Sequence, residues 1–347
     1  MRVLVYEHFC ATTRSANSLR TEGRAMLAAV LEDFGRLDGV RTVTLLASKC
    51  GPLPRANDVR GIDPGEVEAA FRELAGAADF TLVIAPEFDG ILETCCRWAE
   101  EAGGRLLGPG TAAVRNTADK LQLADRLHGR GVPTPPCRLL PRGAIAALPI
   151  SGREFPAVCK PRHGAGSQAT FLVRSPDEFR ACPARAVAEG CRDDLILQPF
   201  VPGQSASVGF LLGPGCELAM PAASQVLSTD GRFRFHGGVL PLPPDLAERA
   251  RRLGGRAVQA MPGLRGYVGV DVILGKANDG SGDRVIEINP RLTTSYVGVR
   301  ALAASNLAGA WLRVIEGQSV PDPEWRAGTV NFRADGTTRF VPPGWPV

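Results

Sequence analysis

The sequence predicts an α/β protein in which a parallel-sheet domain precedes a two-lobed α+β module. Three observations carry that expectation. Strand and helix signals alternate through residues 1–112, the pattern of a parallel sheet covered by helices. Farther on, a Gly-rich loop, Pro161 to Gln168 (PRHGAGSQ), joins two strand-like runs. Last, Gly266–Leu274 and Val285–Arg291 read as a hairpin with acids on one face.

In order along the chain, Arg2–Tyr6 reads as a strand. Leu19–Phe34 reads as a helix, with Met26, Leu27, Val30, Leu31 and Phe34 at helical spacing. Thr42–Leu46 is a second strand, Val67–Leu74 a helix, Thr81–Ala85 a third strand and Ile91–Ala102 a helix. In open sheets of this kind ligands sit beyond the carboxyl ends of the strands. That places the loop Glu7–Asn17 and the segment Pro86–Asp89 at a binding edge. The Pro-rich stretch Gly131–Pro136 (GVPTPP) marks a linker. Beyond it, Phe155–Lys160 and Ala169–Val173 are the strands that flank the Gly-rich loop, and Leu195–Val201 is another. A helix is expected near Leu302–Ile315, then short strands at Thr329–Phe332 and Thr338–Val341.

The hairpin carries the chemistry. Period-two alternation puts Glu287, Asn289 and Arg291 on one side, with Ile286 and Ile288 packed behind them. If the turn KANDGSGD centres on Asp279–Gly280, Asp271 falls opposite Glu287, since both lie eight residues from Asp279. Two acids and an amide oxygen on one face repel unless a cation lies between them, and they are the hard ligands that Mg²⁺ prefers. Mn²⁺ is an alternative occupant. Arg291, past Pro290, suits a phosphate or acyl phosphate. The competing reading is a solvated hairpin whose charges face water.

Composition narrows the partners. A net charge of +4 is too mild to argue for nucleic acid, and no basic run is interleaved with aromatics. No apolar run approaches membrane-spanning length, and MRVLVYEHF lacks the apolar core of a signal peptide. Nine scattered cysteines without Cys-x-x-Cys spacing fit reduced thiols in a cytoplasmic protein. Only Lys49, Lys120, Lys160 and Lys276 are lysines, so 36 of the 40 basic residues are arginine. A lysine kept in such a chain more plausibly needs its compact ammonium. Lys160 immediately precedes the Gly-rich flap, whose successive N–H groups can cradle phosphates. Lys120 opens a helix that continues through Leu121, Ala124 and Leu127. There is no Walker A sequence, nucleophile-elbow serine or His-Glu-x-x-His.

The order Lys120, Lys160 with its flap, a hinge at Gln198–Val201, Asp271, then Glu287-Ile288-Asn289-Pro290-Arg291 resembles the ATP-grasp superfamily over residues 113–315. The resemblance implies a domain at residues 1–112, a small lobe with the flap at 113–195 and a C-terminal lobe with the metal site at 196–347. It implies ATP with Mg²⁺ as cofactors. Lys120, Lys160, Gly164, Gly166, Ser167, Gln198, Phe200, Val201 and Ser205 would contact the nucleotide, with the backbone at Phe200 and Val201 on adenine. Asp271, Glu287 and Asn289 would hold the metal, and Lys160 and Arg291 would act on the transferring phosphoryl group. Gln198 stands where an acid is common, and Gln204–Ser205 where a ribose-binding acid is usual. A third phosphate-binding lysine has no match. Arg232, Arg234 or His236 in GRFRFHGG could serve, or that stretch is a polar surface hairpin.

Within the superfamily the chain is most similar to the tyramine–L-glutamate ligases, on SLRTEGRAM (18–26), APE (85–87), RGYVGVD (265–271) and RLTTSY (291–296). That similarity implies a carboxylate–amine ligase acting on a small-molecule acid and amine. Ser18, Arg20, Glu87, Arg234, His236 and Thr293 are the candidate substrate contacts, and Glu87 or a water the proton acceptor. Two other readings stay open: an ATP-grasp phosphotransferase on a small metabolite, or a nucleotide-binding regulatory module without turnover. Oligomeric state is not legible.

Overall fold

The computed structural model describes the chain except residues 13–17, 52, 54–55, 146–147 and 346–347, and except the side chain of Lys49. The end of the expected binding-edge loop Glu7–Asn17 therefore lies outside the described residues.

The first unit is a four-stranded parallel sheet of order β3-β2-β1-β4, built from β1 (Arg2–Glu7), β2 (Arg41–Ala47), β3 (Asp58–Ile62) and β4 (Phe80–Ile84). Alternation along β1 explains how it is buried on both sides. Val3 and Val5 enter one core, while Leu4 and Tyr6 enter another. Helices α1 (His8–Thr12), α2 (Ser18–Gly35), α3 (Val67–Ala77) and α4 (Ile91–Glu101) cover the sheet. Strand β3 escapes sequence reading because it is an edge strand, with only Ile62 buried. The segment Arg105–Leu107 contributes a single bridge, Leu106 to Thr81.

Helix α5 (Thr111–Ala118) leads to α6 (Lys120–Gly129), which Asp119 caps by accepting from the N–H groups of Leu121 and Gln122. A second, antiparallel sheet follows in the order β5-β8-β6-β7: β5 (Arg138–Leu140), β6 (Ala157–Pro161), β7 (Phe171–Val173) and β8 (Leu195–Pro199), with α7 (Pro176–Ala188) beside it. Because β8 pairs with β5 and β6, the lobe boundary expected at residue 195 falls at the start of a strand that belongs to this sheet.

The third sheet is eight-stranded and antiparallel, in the order β14-β13-β9-β11-β12-β15-β16 with β10 on β9. Its strands are β9 (Gln204–Gly213), β10 (Cys216–Ala219), β11 (Ala223–Leu227), β12 (Phe235–Leu240), β13 (Gly266–Leu274), β14 (Arg284–Asn289), β15 (Thr329–Arg333) and β16 (Thr338–Val341). Val268, Val270, Val272 and Leu274 of β13 face α8 (Pro244–Gln259). The alternate residue Asp271 faces the opposite side, toward the site. Helix α9 (Ser295–Leu302) ends at the extended Ala303, and the helix expected at 302–315 is α10 (Leu307–Ile315), which starts later, under an Asn306 cap.

One core joins the first and third units. Val3, Leu27 and Phe34 share it with Tyr267, Tyr296 and Trp311. Asp33 on α2 lies inside the same junction, accepting from the Arg300 guanidinium (2.8 and 2.7 Å) and from Tyr296 Oη (2.7 Å). The second sheet keeps a separate core drawn from residues 140–197.

Candidate active site

Strands β13 and β14 pair so that Asp271 lies directly opposite Glu287, as the spacing predicts. The register shifts immediately below that pair, and this bulge corrects one expectation. Val285 and Ile288 fill the core behind the strand, whereas Ile286 turns into the cavity wall. Asn289 Nδ2 donates to Asp271 Oδ2 (3.2 Å), and Gln225 Nε2 on β11 donates to Oδ1 (3.0 Å). Ser205 Oγ donates to Gln225 Oε1 (2.5 Å), which sets the orientation of that amide. Burial and the neighbouring Glu287 charge push the Asp271 carboxyl up to about 7. Burial would raise Glu287 as well, but the ammonium groups of Lys120 and Lys160 reverse it and hold its pKa below the usual range.

Lys120 Nζ lies 3.3 Å from Glu287 Oε2 and donates to Gly164 O (2.8 Å). Lys160 is buried at the end of β6, and desolvation lowers it to about 8 despite the pull of Glu287. The base of the flap is stapled to α6. Arg162 donates two hydrogen bonds to Asp119 (2.9 and 2.6 Å), and Lys120 N donates to Arg162 O (3.1 Å). Gly166 (φ +64°) lies so close to α2 that a Cβ there would sit 2.5 Å from Leu19 Cδ2. Ser167 Oγ donates to Phe233 O (2.7 Å), so the flap is closed over the cavity.

That cavity, about 260 Å³, runs between the second and third sheets. Val158, Pro199, Phe200, Val201, Ile273 and Ile286 line an apolar end, and Lys120, Lys160, Asp271, Glu287, Asn289 and Arg291 a charged one. Gln198, Phe200 and Val201 all line this cavity. Phe200 N–H is already used, donating to Pro156 O (3.0 Å), and its ring stacks on Phe233. Gln198 is buried and donates to Cys137 Sγ (2.8 Å).

A second cavity, about 1120 Å³, opens between the flap and the first unit. Ser18, Glu87, Arg234 and His236 line it; Thr293 lines the first cavity, packed on Gly269; Arg20 lines neither, and its charge acts on buried Glu7. Arg234 is well exposed and pairs with Asp230 at 3.5 Å. Arg232 also lines the second cavity, where it pairs with Glu189, donates to Thr170 O and stacks on Phe171. Arg291, in the first cavity, pairs with Glu87, in the second. Its Nη2 donates to Glu87 Oε2 (3.0 Å), while Nε and Oε1 stand 2.9 Å apart but misaligned for a hydrogen bond. Both atoms are buried, and the ion pair holds the guanidinium and the carboxylate together.

Among the described residues no three His, Cys, Asp or Glu side chains are arranged to hold a metal ion. The metal candidate is thus the acid pair with its amide, and it fits a hard cation, since Asp271 and Glu287 face each other in a buried setting. Sequence reasoning missed Gln225, whose strand carried no clear period, and Glu22, which lines both cavities from α2. Glu22 stood in the SLRTEGRAM segment, but nothing in its spacing marked it as facing a cavity.

An ATP-grasp domain model matches residues 117–295, more than half of the chain, and a pre-ATP-grasp domain model matches residues 40–114. The chain belongs to the ATP-grasp family. It is similar to the tyramine–L-glutamate ligase of Methanocaldococcus fervens, at 24% identity over 86% of this chain and 89% of that protein. It is also similar to a D-alanine–D-alanine ligase of Geobacter sulfurreducens, at 24% identity over 74% of this chain and 81% of the relative. An ATP-grasp superfamily structure from Archaeoglobus fulgidus superposes with a TM-score of 0.71, at 23% identity over 95% and 92% of the two chains. Among the described residues no helix is long and apolar enough to cross a membrane.

Proposed function

We propose that this chain is an ATP-dependent, ADP-forming ligase that joins a carboxylate to an amine, with L-glutamate and tyramine as the leading pair. The observation that carries this reading is that two cavities share the flap and Glu22, with an ion pair linking their linings. Lys120, Lys160 and the Asp271–Glu287 pair line the first, and Arg291 with Glu87 stands between it and the second.

ATP would lie in the first cavity, adenine against the apolar end and phosphates toward the lysines. A substrate carboxylate entering from the second cavity would take the γ-phosphoryl group, giving ADP and an acyl phosphate. An amine would then attack the acyl carbon and release phosphate. Lys160 and Arg291 stabilise the charge that spreads over the transferring group. Mg²⁺ held by Asp271, Glu287 and Asn289 would supply neutralisation of the phosphate oxygens. The flap from Pro161 to Gln168 excludes water, which would otherwise hydrolyse the acyl phosphate. Glu87, paired with Arg291, orients that guanidinium.

The test is ADP release from the protein with Mg-ATP and L-glutamate, with and without tyramine, and product masses recorded. Tyramine-dependent ADP release with a γ-glutamyltyramine mass supports the full reading. ADP release that ignores every amine, with a stable phosphorylated product, points instead to a phosphotransferase.

A further inference from the structure

The wall shared by the two cavities is made by Glu22, Phe235 and five flap residues between Pro161 and Gln168. Among the described residues that border both cavities, Glu22 is the one with an ionisable side chain. Its Oε2 accepts from Thr294 Oγ1 at 3.1 Å, three residues beyond Arg291. Its position is enforced from behind, because the next residue, Gly23, lies where a Cβ would be 2.3 Å from the Glu7 carboxylate. Helix α2 therefore packs tightly on β1 at this point, and Glu22 is presented to the junction. Burial raises its pKa, while Thr294 and the Arg291 charge pull the other way. Glu87, the acid that the sequence offered as proton acceptor, is locked onto Arg291.

We propose, on the ligase reading above, that Glu22 accepts the proton which the amine substrate must lose before attacking the acyl phosphate. An alkylammonium has a pKa of about 10, like a lysine side chain, so at neutral pH it arrives charged and without a lone pair. The Glu22 carboxylate pairs with that ammonium and takes one proton. The free nitrogen attacks the acyl carbon; the N–C bond forms, and the C–O bond to phosphorus breaks with its electron pair on the leaving phosphate. A second nitrogen proton leaves with the phosphate as hydrogen phosphate, and Glu22 returns the first to solvent through the larger cavity. Acyl phosphate dianion plus ammonium thus become amide, hydrogen phosphate and one proton. A buried carboxyl lies nearer the working pH than an exposed one and is the better acceptor.

The test compares the full chain with Glu22→Gln, using Mg-ATP, L-glutamate and either tyramine or hydroxylamine. Hydroxylamine is largely uncharged at neutral pH and traps the acyl phosphate as a hydroxamate without needing a base. Glu22→Gln is expected to lower amide formation about 10²-fold and to leave hydroxamate formation within about threefold. Raising the pH from about 7 to about 9.5 should recover part of the amide rate as free amine accumulates. Glu22→Ala should regain amide synthesis when formate is added. Equal loss of both products would overturn the proposal by placing Glu22 in phosphoryl transfer or packing, and an unchanged amide rate would remove it from the chemistry. A wild-type protein that makes no hydroxamate from any acid in an amino-acid and dicarboxylate panel would overturn the ligase reading itself, and this inference with it.

Discussion

The flap lobe and the rest of the molecule bury their apolar side chains differently. The lobe draws its core, including Leu140, Phe171, Phe179 and Leu197, from its own segment. The first and third units share one core from Val3 and Leu27 to Tyr267 and Trp311, with the Asp33–Arg300–Tyr296 cluster at the joint. Asp271, Glu287 and Arg291 therefore stand on a welded body, while Lys160 and the flap stand on a lobe with its own core, tied to that body by polar contacts such as Arg162–Asp119, Ser167–Phe233 and Arg232–Glu189. Parts that must open for substrate are drawn from the less stable end of a structure, and parts that hold geometry from the other.

The comparison breaks hardest at the body's charged face. Glu287→Ala is expected to lower ADP formation by about 10³-fold or more, as loss of a metal ligand and of the Lys120 partner together. Circular dichroism and the melting temperature should stay near wild type, because Glu287 remains partly open to the cavity. A variant that unfolds would show that the acid pair also stabilises the body. Next in size is the joint. Asp33→Ala strips the buried Tyr296 hydroxyl and most of the Arg300 guanidinium of partners, leaving Glu32 at 3.2 Å as the remaining ion pair. The cost should be about 3 kcal/mol, read as a lower urea midpoint for the body with the lobe's own signal moved less.

A pH effect of similar origin sits under α2. Burial pushes the Glu7 carboxyl from the usual 4.5 up to about 7. Between those values the unfolded chain has lost this proton and the folded chain retains it, so stability falls as pH rises through that window. The full change is roughly 3 kcal/mol at most. Glu7→Gln should flatten this slope between about pH 5 and 7, and a melting curve that keeps the wild-type slope would assign it to another group. The smallest effect belongs to the lobe. Ser167→Ala removes the hydroxyl that pins the flap to Phe233 O, a loss of about 1 kcal/mol. It should raise KM for ATP a few-fold and lower the melting temperature by only about 2 °C.

The welded body was also the more legible part. The β1–α2–β2 alternation, the β13 span and the Asp271–Glu287 register could all be read from periodicity and turn chemistry. The bulge at Ile286 could not, since one extra residue in a strand leaves no mark on an apolar run. Strand β12 was hidden for a different reason. Gly237–Gly238 reads as a turn, yet these glycines lie inside the strand, where Cβ atoms would meet Phe332 O and Ser224 O at 2.0 and 2.1 Å. With β11 and β12 unread, Gln225 had no strand to place it beside Asp271. The second cavity was legible only as a binding edge, because the residues that line it come from three separate units.

Asp119 does two things with one carboxylate: it caps α6 and it grips Arg162 at the foot of the flap. Helix α6 itself belongs to the body, through Leu123 and Leu127. The staple thus fixes the foot of the flap to the body, with Lys120 one residue beyond Asp119 on α6 and Lys160 two residues before Arg162 on β6. Loss of this one carboxylate would untie the flap and uncap α6 in a single step.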